Sequence, residues 1–255
     1  MAILKKALKG ILILAFWLGV WQIASLAVGQ ELLLPSPLTT VLRLWELMCT
    51  AQFYSIILRS LIRILLGTAI AVALGVVIAV ITSKIRLLHD VISPVMTVIK
   101  AVPVASFIVL LLLWLERDII PSIISVLIVL PIVWTGVEMG ISETDKSLLE
   151  MADMYRMSKW EKIKSIYTPS TLPYFSSALS SSLGLSWKAG IAAEVLALPA
   201  IAIGKQIFES KLYIETVDLF AWTLTVIIIS LIIERLVKFG INKAFSHKAR
   251  MGGRV

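Results

Sequence analysis

Residues 10–30 carry no charged side chain and follow Lys5, Lys6 and Lys9. About 20 consecutive apolar residues is the length of helix that crosses a bilayer, and the chain repeats the pattern. Residues 64–83 are closed by Lys84 and Arg86, and residues 91–115 are interrupted by Lys100 and Pro103. Residues 119–137 hold Pro121 near their start and Pro131 inside; residues 172–198 contain Lys188 and Glu194. Residues 219–233 end at Glu234, Arg235 and Lys238. The runs are long and lack period-two alternation, so they are helices rather than barrel strands. The expected fold is all-α and polytopic, with about six transmembrane helices.

The composition agrees. The 255 residues are 59% hydrophobic and 16% charged, against roughly 45–50% and about 25% in an average soluble domain. So much apolar surface must face lipid or partner chains. This excludes an ordinary cytosolic enzyme, a disordered chain and a secreted disulfide scaffold. Cys49 is the one cysteine, so no intrachain disulfide forms. His89 and His247 stand far apart with no carboxylate or cysteine framework, and no metal site is expected.

A net charge of +8 would suggest nucleic acid in a soluble protein. Here the cations cluster between apolar runs, as the positive-inside rule describes, and no nucleic-acid partner is expected. With both termini inside, the cytoplasm collects Lys5, Lys6, Lys9, Lys84, Arg86, Lys146, Arg156, Lys159, Lys162 and Lys164. The tail adds Lys238, Lys243, Lys248, Arg250 and Arg254, while the outer loops keep chiefly Arg43, Arg117, Lys205 and Lys211. Ser25-Leu26-Ala27 has the small residues of a signal-peptidase site, but the long apolar stretch favours a retained first span. Outside, Ser36 before Pro37 opens an amphipathic helix over 38–48, lying on the outer face. With no repeat or low-complexity linker, residues 1–255 read as one membrane domain. It comprises a first span at 10–30, a core at 60–240 and a cytoplasmic loop at about 142–169.

That loop carries the most information. Leu148, Leu149, Ala152 and Tyr155 recur at helical steps, and so do Trp160, Ile163 and Ile166, which predicts two amphipathic helices. Arg156-Met157-Ser158 breaks them, Ser158 caps the second, and Glu161 completes a capping box. Pro169 is expected to limit the helix before the fifth span. Apolar residues on a cytoplasmic helix pair pack on the bundle or lipid interface, or dock another protein.

Glu150-x-Ala152, with Ser158 and Pro169 at the right distance, resembles the EAA loop of ATP-binding-cassette importer permeases. The wider sequence is similar to the nitrate, sulfonate, taurine and bicarbonate group. The matching pieces are Ser93-Pro94, Ala101-Val102-Pro103, Leu113-Trp114, residues 145–150, Leu172-Pro173-Tyr174 and Ala192-Ala193-Glu194. The similarity runs from about Ser60 to Phe239. The chain departs from the loop pattern at Met151 for alanine, Arg156 for glycine and Thr168 for leucine. Glycine there normally supplies a positive φ, which arginine adopts only at a cost.

The resemblance implies a type I importer transmembrane domain in the bacterial cytoplasmic membrane, a homodimeric gate driven by an ATPase dimer. An extracytoplasmic solute-binding protein would deliver a small, mostly anionic solute (a sulfonate, nitrate or similar) or a vitamin-precursor heterocycle. The coupling residues would be Glu150, Ala152, Tyr155, Arg156, Ser158 and Trp160, forming a rigid amphipathic lever. No Gly-x-x-x-x-Gly-Lys-Ser/Thr loop occurs in the sequence. This subunit is therefore expected to be no enzyme and to hold no cofactor, with ATP and Mg on the partner.

Charges inside the fifth span cost at least about 2.5–3.5 kcal/mol. Lys188 and Glu194 lie roughly 600° apart along a helix, so they do not pair on it. Lys188 is read as facing the cavity toward an anionic solute, with Trp187 and Trp114 as apolar walls. Glu194 is a further candidate for the path; otherwise each charge pairs with another helix. Ser176, Ser177, Ser180, Ser181, Ser182 and Ser186 suit close packing or a hydrophilic wall, and Lys100 reads as a snorkelling interface lysine, with a pathway residue as the alternative. Two other classes compete: an ion-driven secondary transporter, which would usually show repeats, and a membrane enzyme using Lys188 and Glu194. No paired-carboxylate, Ser–His or metal constellation supports the latter.

Overall fold

The computed structural model describes residues 2–252, with side chains for residues 8–237, 239 and 240. The side chains of Lys5, Lys6, Lys238, Lys243, His247, Lys248, Arg250 and Arg254 lie outside the described residues. The described elements are helical: α1 (Ala2–Val28), α2 (Pro37–Met48), α3 (Ala51–Thr82), α4 (Arg86–Ala101), α5 (Val104–Leu111) and α6 (Ile120–Ser142). There follow α7 (Lys146–Met154), α8 (Lys159–Lys162), a π turn (Ile163–Tyr167), α9 (Thr168–Ala197), α10 (Ile203–Leu212) and α11 (Thr216–Gly252).

α3, α6 and α9 form the centre, and their direction follows from their contacts. Gly67 lies against Ser122, Gly75 against Leu130 and Val133, and the Trp134 indole N–H donates to Thr82 Oγ1 at 3.0 Å. Both numbers rise together, so α3 and α6 run parallel. Gly136 meets Ala178 and Gly140 meets Thr171, so α9 is antiparallel to α6. The approach at Gly67 requires glycine: a Cβ there would stand 2.2 Å from the Ser122 carbonyl oxygen. We call the end carrying α7 and α8 the inner end.

Two successive parallel spans need a return crossing between them, and α4 with α5 supplies it as a broken span bent by 97°. The interruption expected at Lys100 and Pro103 within 91–115 is a full break, and the first half begins earlier, at Arg86. Val102 takes extended backbone, φ −75° and ψ 131°, because the ring of Pro103 crowds the residue before it out of the α region. α3 begins thirteen residues before the expected 64. Arg59 and Arg63 hid its first turns, and Arg63 is neutralised inside the protein.

Among the described residues, four helices are long and apolar enough to cross a membrane alone: α1 over Leu8–Val28, α3, α6, and α11 over Thr216–Val237. α9 is long enough, about 45 Å for its 30 residues, but its serines make it less apolar. It is enclosed by α3, α5, α6, α10 and α11, so much of its polar surface meets protein instead of lipid. Pro169 does not end a helix, contrary to expectation. The chain passes from α8 through the π turn into α9, with Pro169 in the first turn of α9. The longer π spacing accommodates the proline ring, and the Thr168 hydroxyl donates to the Ile163 carbonyl at 2.7 Å.

At the outer end, α1 is fastened by the Trp21 indole N–H donating to Pro35 O at 3.1 Å and the Ser25 hydroxyl to Leu34 O at 2.9 Å. Trp21 also stacks on Phe220 of α11 at 5.9 Å. α2 starts as read: Ser36 Oγ accepts from the Thr39 amide at 3.1 Å, and proline holds the first helical position. Arg43 of α2 pairs with Asp218 of α11 and with Glu46; the hydrogen bonds it donates to Asp218 first, then to Glu46, push its pKa further above the usual arginine value.

Candidate functional site

The inner loop is held by its own backbone chemistry. Asp145 caps α7, accepting from the Ser147 amide and hydroxyl at 2.8 Å each; the hydroxyl and then the amide lower its pKa. At the other end of α7, Arg156 takes φ +52°. Its amide donates to Asp153 O at 3.0 Å and that of Met157 to Ala152 O at 2.9 Å, the paired bonds of a Schellman ending. Arginine thus adopts the conformation that glycine supplies in the loop pattern, at a cost of roughly 1–2 kcal/mol.

The second helix opens on the expected capping box. The Glu161 amide donates to Ser158 Oγ at 3.3 Å, and the Ser158 amide donates to Glu161 Oε2 at 2.7 Å. Hydrogen bonding by the Ser158 side chain, then its amide, lowers the Glu161 pKa. The Lys162 ammonium donates to Asp153 and ties the two helices across the turn. On this fixed corner Met154, Tyr155 and Trp160 are 84%, 78% and 74% exposed, with Leu148, Met151 and Ile163 also exposed. Glu150 is exposed beside them. Ala152, one of the expected coupling residues, is fully buried, so it packs α7 against its own chain and leaves the exposed surface to its neighbours.

The fifth-span residues separate. Glu194 is completely buried and joined to α3 and α10. It accepts from Arg63 at 2.8 Å, Ser60 Oγ at 2.9 Å and the Gly204 amide at 3.1 Å, while the Ile203 amide donates to Ser60 Oγ at 3.0 Å. Glu194 and Ser60 therefore cap the start of α10 from two other helices. Gly204 is obligatory here, since a Cβ would lie 2.4 Å from the Val195 backbone nitrogen. Arg63 also reaches Asp118, at 2.7 Å, on the loop between α5 and α6. The arrangement matches the structural alternative for Glu194, a pairing with another helix, and sequence reasoning missed Arg63 and Ser60.

Trp187 is buried too, its indole N–H donating to Val226 O of α11 at 3.2 Å. It packs the core behind Lys188 and does not flank it on an open wall. Lys188 is exposed, with Ser177, Ser181, Leu185 and Ala192 on the same stripe of α9; Ser180 is half-buried beside them. The other serines pack, as where Ser186 and Thr68 share a hydrogen bond of 2.6 Å. Trp114 lies apart, exposed on the α5–α6 loop. Lys100 donates to Thr135 Oγ1 of α6 at 2.8 Å, so it bonds to protein at the α4–α5 bend.

Residues 71–250 match the model of the binding-protein-dependent transport system inner membrane component family. The chain is 24% identical over 234 residues to a putative aliphatic sulfonates transport permease of Bacillus subtilis, covering 91% of this chain and 84% of that one. It is 28% identical over 206 residues to a nitrate import permease of Synechococcus elongatus, 76% and 73% covered. It is 29% identical over 235 residues to a riboflavin transport system permease of Chloroflexus aurantiacus, 89% and 86% covered. In fold it is similar to a chain of the inward-facing MetNI methionine ABC transporter, with a TM-score of 0.58 at 14% identity over 76% of this chain and 97% of that one. The chain belongs to the family of binding-protein-dependent transport system inner membrane components, as a multi-pass membrane permease.

Proposed function

We propose that this chain is the permease subunit of an ATP-driven importer, working as a homodimer in the bacterial cytoplasmic membrane with both termini in the cytoplasm. ATP and Mg are held by a separate ATPase dimer, and an extracytoplasmic binding protein delivers the solute. One observation carries the reading: a corner fixed by two caps and an ion pair holds Met154, Tyr155 and Trp160 out in water. Interface energy concentrates on such aromatic anchors, and Glu150, Tyr155, Arg156, Ser158 and Trp160 form or shape this surface. Ala152 supports it from within.

The path runs along the exposed stripe of α9. α3 exposes mostly leucine, isoleucine and valine, such as Leu58, Ile62 and Leu66, whereas the exposed face of α9 places Ser177, Ser181 and Lys188 beside Leu185. Lipid is a poor solvent for that stripe, so it faces water or a second copy. Lys188 and Ser180 meet the solute, Trp114 stands toward the outer mouth, and Trp187 and Glu194 hold the wall from behind. The solute is a small anion or a vitamin-precursor heterocycle, as the names of the relatives support.

Purification from the native host in mild detergent, followed by mass spectrometry, tests the assembly. A phosphate-loop ATPase and a binding protein are expected; the chain recovered alone would count against it. Glu150→Arg should abolish coupling, and normal transport in that variant would remove the docking role. Lys188→Ala should lower uptake with assembly intact.

A further inference from the structure

α2 is apolar on two sides, and its own chain covers one of them. Thr40 and Leu44 are buried, and Leu47 packs into the core cluster that holds Phe53 of α3 and Trp222 of α11. Leu38, Val41, Leu42 and Trp45 are each more than half exposed. Their three- and four-residue steps set them on one stripe, roughly opposite the buried one at about 100° per residue. Thr39, Arg43 and Glu46 form the polar edge between the two. The indoles of Trp21, Trp134 and Trp187 donate within the protein, whereas that of Trp45 has no protein acceptor among the described residues.

The depth of the stripe follows from what α2 is joined to. It starts shortly after α1 ends at Val28 and stops just before α3 begins at Ala51, and its Arg43 pairs with Asp218 in the first turn of α11. All three neighbours are membrane-spanning helices, so α2 lies at the water–lipid boundary of the outer end. Apolar surface continues along the chain on both sides of it. Ile23 and Leu26 at the end of α1, and Tyr54 and Leu58 at the start of α3, are exposed as well. Apolar side chains gathered at such a boundary mark a contact with lipid. A soluble protein arriving from water would meet the polar edge instead.

We infer that α2 is an interfacial helix whose stripe of Leu38, Val41, Leu42 and Trp45 is sunk into lipid at the outer end, with the Trp45 indole at headgroup depth. The class of lipid follows from charge. Arg43 is the one cation of α2, and Asp218 and Glu46 already neutralise it. Apolar area holds the helix down, and attraction to anionic headgroups does not. This placement is independent of the solute and of the ATPase.

Spin labels on the full chain in phosphatidylcholine nanodiscs test it. Cys49 is exposed, so Cys49→Ser supplies the background for two single-cysteine variants, Leu42→Cys on the stripe and Glu46→Cys on the polar edge. At position 42, collision with oxygen, which concentrates in lipid, should exceed collision with a water-soluble nickel chelate, as in a Leu58→Cys reference on α3. The order should reverse at position 46. Adding phosphatidylglycerol, or raising the salt, should leave the ratio at position 42 unchanged. Thermal unfolding verifies that the variants fold, and Val41→Cys repeats the reading on the same stripe if Leu42→Cys does not. A label at 42 that collides mainly with the nickel chelate puts the stripe in water, open to a soluble partner, and overturns the inference. One shielded from both reagents puts it under protein, such as a second copy, and equally overturns it. A ratio that becomes lipid-like only with phosphatidylglycerol overturns the assignment to apolar area.

Discussion

The two ends of α9 are built by opposite rules. At its outer end a fully buried carboxylate, Glu194, is satisfied by an arginine, a hydroxyl and a backbone amide from α3 and α10. At its inner end the charges are exposed and apolar side chains stand in water. The outer end is complete within one chain, because a buried charge lacking any of its partners would be expelled or would unfold the region. The inner end is stiff, with caps and an ion pair holding its shape, and under the proposed function its exposed apolar surface is the one the ATPase covers. A region finished on itself registers mutation as stability, and one that awaits a partner registers it as affinity.

The largest effect should come from breaking the outer end. Arg63→Met leaves Glu194 buried and unpaired and is expected to cost about 3–5 kcal/mol, read as a lower thermal midpoint in detergent. Adding Glu194→Gln to it should restore most of the loss. Asp118→Asn should cost below about 1 kcal/mol, because Asp118 is more than half exposed.

At the inner end Trp160→Ala should leave the midpoint in place yet weaken ATPase binding by roughly 2 kcal/mol, about thirtyfold, measured by titrating the ATPase onto the solubilised permease. A lower midpoint with unchanged affinity would erase the contrast. Arg156→Gly should stabilise the corner by about 1 kcal/mol, since glycine enters the left-handed region without the Cβ clash. Ser158→Ala should cost about 1 kcal/mol of helix stability, seen as faster amide exchange over residues 155–165.

The smallest effect is on pH. The folded Glu161 pKa lies below its ordinary value, so its contribution is present above the usual carboxylate range. It fades as pH falls through the lowered value. Amide protection of the corner, corrected for intrinsic exchange, should drop on acidification in the wild type and become flat in Glu161→Gln.

What the sequence reveals follows the range of the interactions. The capping box at Ser158 and Glu161 spans three residues and was legible, as were the start of α2 and the positive φ demanded at position 156. The network around Glu194 was not, because Arg63 and Ser60 lie 131 and 134 residues away. Arg63 itself misled, since a charge in an apolar run marks a span boundary unless its partner is known. Pro103 announced a break, though not its angle. Pro169 announced one that the π turn absorbed, because local rules price a proline against an α-helix and not against a wider turn.

That π turn has a consequence for phase. It holds one residue more than the α turn it replaces, and each residue advances a helix by about 100°. The direction in which Trp160 points is therefore set separately from the direction in which Ser177, Ser181 and Lys188 point, although all four ride on one unbroken rod. Residues 163–167 act as a vernier between them. Removing one residue there would swing Trp160 about a quarter-turn around the rod and leave the polar stripe where it is, and restoring it would swing it back.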